Sequence, residues 1–292
     1  MLGETHSRFL QTGFPLVAPK FFFQILLAVG VIFSLILTFS GAVLTGVSWD
    51  EHFHLQMVGT WAESGWYARF DSLRDYDFNN DSGALYVYGP VTSIILHAVA
   101  VLGGVETLGS ASLSSGAYVA RHIGTALIAL AGSVAVAGLV WVATKSKAWS
   151  GVGFLVISLF PLWLGHAMFN LKDVPVASGY TLATLGYAIL ASSQSHHTRH
   201  RIFGITSLVL GLLLGVGTRP GMWVPLFGTS VAVVFILAFV LNKKRPHVSR
   251  FAVDSAIGVL ISYVALACLY PKLFLSPTKL FLSALGSTSY PW

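Results

Sequence analysis

The sequence predicts an all-α polytopic membrane protein of about seven transmembrane helices plus one extracytoplasmic juxtamembrane helix. Composition is the first observation behind this: 55% of the 292 residues are hydrophobic, 10% are charged, and the mean hydropathy is +0.75. Soluble domains carry about 25% charged residues. The second is a series of apolar runs long enough for spans of about 20 residues each. The third is where the charges fall, because the short basic gaps between runs all come to one face while the long acidic segment, Ser48 to Pro90, comes to the other. A net charge of +6 spread in this way sets topology through the positive-inside rule and does not indicate nucleic-acid binding. The single cysteine, Cys268, lies inside an apolar run, so no disulfide framework is expected.

Residues 1–20 form a polar, cytoplasmic N-terminal segment, and the membrane domain occupies 21–270. Its first run, Phe21 to Val47, is free of charge and too long for a signal-peptide core, so it reads as an uncleaved span. An extracytoplasmic loop, 48–117, follows. Within it Val91 to Val105 is apolar but short, which suits an interfacial helix opened by Pro90. Further spans are expected at Tyr118–Ala143, Trp149–Leu164, Val174–Ser192, Ile202–Thr218, Met222–Leu241 and Phe251–Tyr270. Gly211 and Gly215 lie four apart in one of them and would let a neighbouring helix approach closely. If Val91–Val105 does not cross, one face collects Arg8, Lys20, Lys145, Lys147, Arg199, Arg201, Lys243, Lys244, Arg245 and Arg250 against only Glu4 and Asp254. That face is then cytoplasmic. Asp254 is expected to pair with Arg250, four residues before it on the same helix. Residues 271–292 form an extracytoplasmic tail.

The same topology gathers separated polar residues on the outer face, where ionisable groups at a bilayer edge point to function. Ser48-Trp49-Asp50-Glu51-His52-Phe53-His54 directly follows the first span. Ser48 and Glu51 have capping-box spacing, with Ser48 as the N-cap and Glu51 reaching back. Asp50 shares a helix face with His54, and a carboxylate oriented by an imidazole suits a general base. Its structural alternative is favourable placement at a helix N-terminus. His52 and His54 are also compatible with a divalent metal such as Zn, Mn or Mg, although His-x-His is unspecific. The acidic stretch Asp75 to Tyr86 fails as a calcium loop, since Asn80 and Tyr86 replace the required Gly and Glu. In His166–Pro175, Asp173 is a plausible N-cap and Pro175 suits the first turn, which leaves Asn170 and Lys172 unexplained. Lys172 opposes the positive-inside bias and could neutralise a lipid phosphate. Arg219 and Arg121 are read either as ligands or as snorkelling anchors. His97, His122 and His166 are read as packing residues.

Trp49-Asp50-Glu51 after the first span, Tyr88-Gly89-Pro90 before Arg121, Asn170-Leu171-Lys172-Asp173-Val174-Pro175, and Thr218-Arg219-Pro220 form an ordered set. Together they resemble the GT-C superfamily of lipid-linked-sugar glycosyltransferases, and within it the protein O-mannosyltransferase and aminoarabinose transferase group (glycosyltransferase family 39). The resemblance covers about Phe21 to Leu241. It implies inverting transfer of a sugar from a polyprenyl-phosphate-linked donor to a hydroxyl of a glycan, lipid or protein acceptor. The reaction would take place on the extracytoplasmic side of a bacterial inner membrane. It also implies Asp50 as catalytic base with Glu51 beside it. Lys172 and Arg219 become ligands of the donor phosphate, and His54, Arg121, Asn170 and Asp173 complete the substrate site. Relatives carry further spans and often a soluble C-terminal domain, so a truncated or non-catalytic assembly partner stays open as an alternative. A transporter of lipid-linked sugar is the other alternative; it would favour ionisable groups at mid-span.

Overall fold

A computed structural model describes residues 19–68, 88–107, 114–192, 198–240 and 245–289. The acidic loop around Asp71–Asp81, His196–His197 and Lys243–Lys244 lie outside the described residues, as do Glu4 and Arg8. The described residues are built on helices: α1 (Pro19–Leu44), α2 (Glu51–Ser64), α3 (Val91–Leu102), α4 (Ser115–Thr144), α5 (Lys147–Ser158), α6 (Pro161–Ala167), α7 (Asp173–Ala191), α8 (Thr198–Thr218), α9 (Trp223–Phe235), α10 (Arg245–Leu269), α11 (Pro271–Phe274) and α12 (Pro277–Ser289). A 3₁₀ turn, Pro220–Met222, leads into α9, and a π turn, Ile236–Val240, continues it. Six stretches among these are long and apolar enough to cross a membrane. The apolar α3 is a short helix, as the length of its run predicts.

Counted as one broken span, α5 with α6, which meet at a bend of 69°, make a seventh. A straight span over Trp149–Leu164 does not form, and Pro161 is the reason. Proline removes a backbone donor and pushes the residue before it out of the helical region. Phe160 accordingly lies extended, at φ −63° and ψ 121°. Contacts show that the bent pair still traverses the bundle. Gly151 meets Leu27, Leu155 meets Gly30 and Met168 meets Gly41, so α5–α6 runs beside α1 and parallel to it.

The tightest helix pair is α7 with α8, where small residues remove the barrier to close approach. A Cβ on Gly211 would stand 2.3 Å from the Ala183 backbone nitrogen, and one on Gly179 would stand 2.4 Å from that of Gly215. The glycine pair at 211 and 215 therefore does what its spacing predicts. Gly258 and Gly217 meet Leu208 and Leu266, so α8 and α10 run parallel. Arg201 of α8 also holds Asp254 of α10 through two bonds of 2.9 and 2.6 Å. This replaces the expected Arg250–Asp254 pairing, because a fork-shaped guanidinium on the neighbouring helix meets both carboxylate oxygens.

Alternation of the spans brings one set of termini to a single end of the bundle: the C-termini of α1, α6, α8 and α10 and the N-termini of α4, α7 and α9. The tail returns there as α11 and α12. Trp223 donates its indole N–H to the Leu280 carbonyl at 3.1 Å, and Lys272 and Lys279 lie over the Trp66 ring. At the same end Trp61 donates to the Leu269 carbonyl, and the Tyr67 N–H to the Tyr270 hydroxyl, both at 3.1 Å.

Candidate functional site

The site is built where α1 gives way to α2. After Leu44 the chain leaves the helix, and Asp50 occupies the N-cap position of α2 with no side-chain cap bond. The expected capping box forms only in half. The Ser48 N–H donates to Glu51 Oε1 at 2.6 Å, as the box requires. The Ser48 hydroxyl, however, donates to Asp50 Oδ1 at 3.0 Å instead of capping the helix. Asp50 Oδ2 receives the ammonium of Lys172, 122 residues away in sequence. Burial pushes the Asp50 carboxyl up, but hydrogen bonding and charge from Lys172, helped by Ser48 and His54, outweigh it. The carboxyl is thus held below its ordinary value. Burial pushes Lys172 down, and its bond to Asp50 with the surrounding Tyr88 and Asp173 raises it overall.

Lys172 is placed by the start of α7, and Asn170 does the placing. The Asn170 Oδ1 accepts the N–H groups of Lys172 at 3.2 Å and Asp173 at 2.8 Å. Its amide nitrogen faces Asp173 Oδ2 and His166 Nδ1. Asn170 therefore takes the capping role that the spacing assigned to Asp173, since an asparagine side chain mimics a turn and satisfies orphan helix donors. Asp173 is left to accept a 2.6 Å bond from Arg219. His166, read as a packing residue, is satisfied by Asn170.

Tyr88 completes the cluster, a place that the Tyr88-Gly89-Pro90 motif does not by itself assign to its ring. Its ring lies 5.3 Å from the Arg219 guanidinium, 6.0 Å from the Lys172 ammonium and 5.5 Å from the His54 ring. Gly89 makes this placement possible: a Cβ there would meet the Gly217 carbonyl oxygen at 2.4 Å. The Gly89 N–H also bonds the Thr218 carbonyl at 2.8 Å, seating the strap on the end of α8. Only the chain order Tyr-Gly-Pro hinted at this ring.

His54 is inside the site but does not orient Asp50. Its Nδ1 meets the Tyr67 hydroxyl at 3.0 Å, and that hydroxyl also bonds Ser93. Burial pushes His54 down to about 4, against the opposing charge of Asp50, so the ring is neutral near pH 7. Burial likewise pushes the Tyr67 hydroxyl up.

Glu51 points the other way, into the bundle, where it is 1% exposed. Its Oε2 meets His122 Nε2 at 2.9 Å, and His122 Nδ1 meets the Ala42 carbonyl at 3.2 Å. Arg121 is buried beside Tyr118 and ion-paired to Glu106, which also bonds His97. It is not a snorkelling anchor: its guanidinium turns inward and fastens the end of the α3 segment to the start of α4. His97 and His122 are satisfied, as packing residues should be, although by carboxylates. Glu51, His54 and Arg121 do share the walls of a cavity of about 10 Å³ with Ser93 and His97.

His52 and His54 do not converge, because residues two apart on a helix face different ways. His52 lies tilted against Phe53 while His54 turns toward Tyr67. Among the described residues no group of three or more His, Cys, Asp or Glu side chains is placed to hold a metal. Asp50 and Asp173 are each matched by a cation already, so this cluster does not fit a divalent ion. Comparisons with protein-family models, with curated proteins and with solved structures find no match.

Proposed function

We propose that this integral multi-pass membrane protein is a glycosyltransferase that moves a sugar from a polyprenyl-phosphate-linked donor to an acceptor hydroxyl, with inversion, at the bundle end that carries Asp50. One observation carries this reading: Asp50, Lys172, Tyr88, Arg219 and Asp173 form a continuous base–cation–aromatic–cation–acid cluster from four separate parts of the chain. Departure of a sugar phosphate builds negative charge on phosphate oxygens and positive charge on the sugar ring. Fixed cations at the phosphate then favour the transition state over the ground state. Lys172 and Arg219 supply those cations, both held near the Tyr88 ring. A carboxylate on the opposite side accepts the hydroxyl proton and steadies the ring.

The resting ion pair adds a gate to this scheme. While Lys172 holds Asp50, the carboxylate is a weak base. A donor phosphate competes for the ammonium, and as Lys172 turns toward it the Asp50 carboxyl rises toward a useful basicity. An apolar cavity of about 420 Å³ runs along the bundle from Ala252 and Ser255 to Leu266 and Phe274, and offers volume for part of an isoprenoid chain.

The test is transfer of radiolabelled sugar from a polyprenyl phosphate donor by the purified chain in lipid. Asp50→Asn keeps the shape and removes the base, so transfer should fall at least about a thousandfold while expression and thermal unfolding stay close to wild type. Loss of the partly exposed Asp50–Lys172 pair should cost at most about 1 kcal/mol of stability. A wild-type rate in this variant would sink the assignment. Movement of intact lipid-linked sugar across the bilayer without transfer would favour the transporter alternative.

A further inference from the structure

Asp50 lies in a non-helical junction and is itself partly exposed, with 29% of its side chain open. Nothing in its own backbone conformation fixes where its carboxylate points. What fixes it runs inward. The Ser48 residue is the node: its hydroxyl holds Asp50 Oδ1, and its N–H is held by Glu51 Oε1. Glu51 is in turn held by His122 of α4, and His122 by the Ala42 carbonyl near the end of α1. Both Glu51 and His122 are 1% exposed. The sequence thus spans α1, the junction, α2 and α4 and ends on the two oxygens of Asp50, the second of which faces Lys172 of α7.

The hydrogens in this chain are determined by its acceptors. A carbonyl oxygen only accepts, so His122 Nδ1 carries a hydrogen toward Ala42. Glu51 Oε1 accepts from Ser48. The contact between Nε2 and Oε2 therefore holds a single hydrogen, and each polar side-chain atom of both groups has a partner. A buried polar chain of this kind is rigid when fully satisfied and costly when broken.

We propose that Glu51 and His122 are positioning residues, a buried clamp that aims the Asp50 carboxylate at Lys172 through Ser48. The inference rests on the transfer reading above for its kinetic consequence, but not for its structural one. It moves Glu51 away from the reacting atoms and gives His122 a role beyond packing.

Glutamine separates positioning from proton chemistry. In Glu51→Gln the side-chain oxygen still accepts the Ser48 N–H, and the amide donates to a neutral His122 Nε2, so every bond is restored without the shared acidic hydrogen. Glu51→Ala and His122→Ala break the clamp. Ser48→Ala cuts only the last bond, at a half-buried position, and serves if the buried alanine variants fail to fold.

The readout independent of activity is acylation of lysines in the purified protein in lipid nanodiscs by a water-soluble succinimidyl ester, followed by mass spectrometry. Lys147, exposed at the opposite end, is the internal reference. Asp50→Asn sets the value for an unpaired Lys172. Glu51→Ala, His122→Ala and Ser48→Ala should raise Lys172 labelling about threefold or more, toward that value, and Glu51→Gln should stay near wild type. In the transfer assay the clamp-breaking variants should lose on the order of tenfold to a hundredfold in kcat with the donor KM little changed, as expected for a misaimed base. Glu51→Gln should recover most of that loss. Wild-type Lys172 labelling in Ser48→Ala and in the folded buried variants overturns the clamp. Loss of transfer in Glu51→Gln equal to that in Glu51→Ala also overturns it, in favour of a chemical role for the hydrogen. If labelling follows the expected pattern while the wild-type chain transfers no sugar, the clamp stands and the glycosyltransferase reading falls.

Discussion

His54 shows how strongly burial governs single residues in this protein. The ring is 7% exposed and is pushed down to about 4, so the folded segment excludes a proton that the unfolded segment would bind below about 6.5. The folded value is depressed, so its contribution is complete above about 6.5 and is lost as pH falls toward 4. The shift corresponds to about 3 kcal/mol at the acid end of that window. Hydrogen-exchange protection of the α2 amides, corrected for intrinsic rates, should therefore fall progressively between pH 6.5 and 4, and His54→Gln should flatten the decline. The Asp50–Lys172 pair behaves oppositely at its two ends. Asp50 is lowered, so its share persists until pH drops below the ordinary carboxyl range. Lys172 is raised, so its share is lost only at strongly alkaline pH. At this scale the sequence was half legible. Residue types and separations marked Asp50, Lys172 and Arg219, because a cation on the acidic face is anomalous. Partner choice was not legible, since the Asp254–Arg201 and Ser48–Asp50 bonds depend on side-chain directions that spacing leaves open.

At the scale of elements, small residues set which helices touch. The α7–α8 contact is backbone against backbone at Gly179 and Gly211, so added side chains cannot be absorbed by rotamer changes. Gly211→Val should lower the thermal unfolding temperature in detergent by an amount matching about 1–3 kcal/mol or more, from overpacking. Gly59→Ala, in α2 with open space around it, should be neutral or stabilising by up to about 1 kcal/mol. Equal effects at the two positions would show that close packing is not what holds α7 to α8. Span positions were readable because apolar length is a one-dimensional property. The bend at Phe160–Pro161 was present in the sequence as a proline inside an apolar run, and length alone concealed it. The helix α2 and the tail helices α11 and α12 were less visible, because each owes its position to tertiary anchors such as Trp61, Trp223 and Trp66 rather than to a long apolar stretch.

For the whole molecule, the question is which side of the membrane carries the Asp50 cluster. Connectivity places that cluster at one end and Lys145, Lys147 and the Arg201–Asp254 pair at the other. By the positive-inside rule the exposed Lys145 and Lys147 predict a cytoplasmic end there, and hence an Asp50 cluster outside, which thiol labelling tests. The single cysteine, Cys268, is exposed and must first be replaced by serine so that labelling reports only introduced thiols. Trp49 is 81% exposed next to the site, and Ala148 is exposed in the opposite turn. Ala167, though at the site end, is 2% exposed and would not report. In intact cells a membrane-impermeant maleimide should label Trp49→Cys and leave Ala148→Cys unlabelled until the membrane is opened. The reverse pattern would place the cluster in the cytoplasm, where an extracytoplasmic donor could not reach it. Labelling of both from outside would mean that α4 does not cross, and the alternation that brings Lys172 to Asp50 would have to be abandoned.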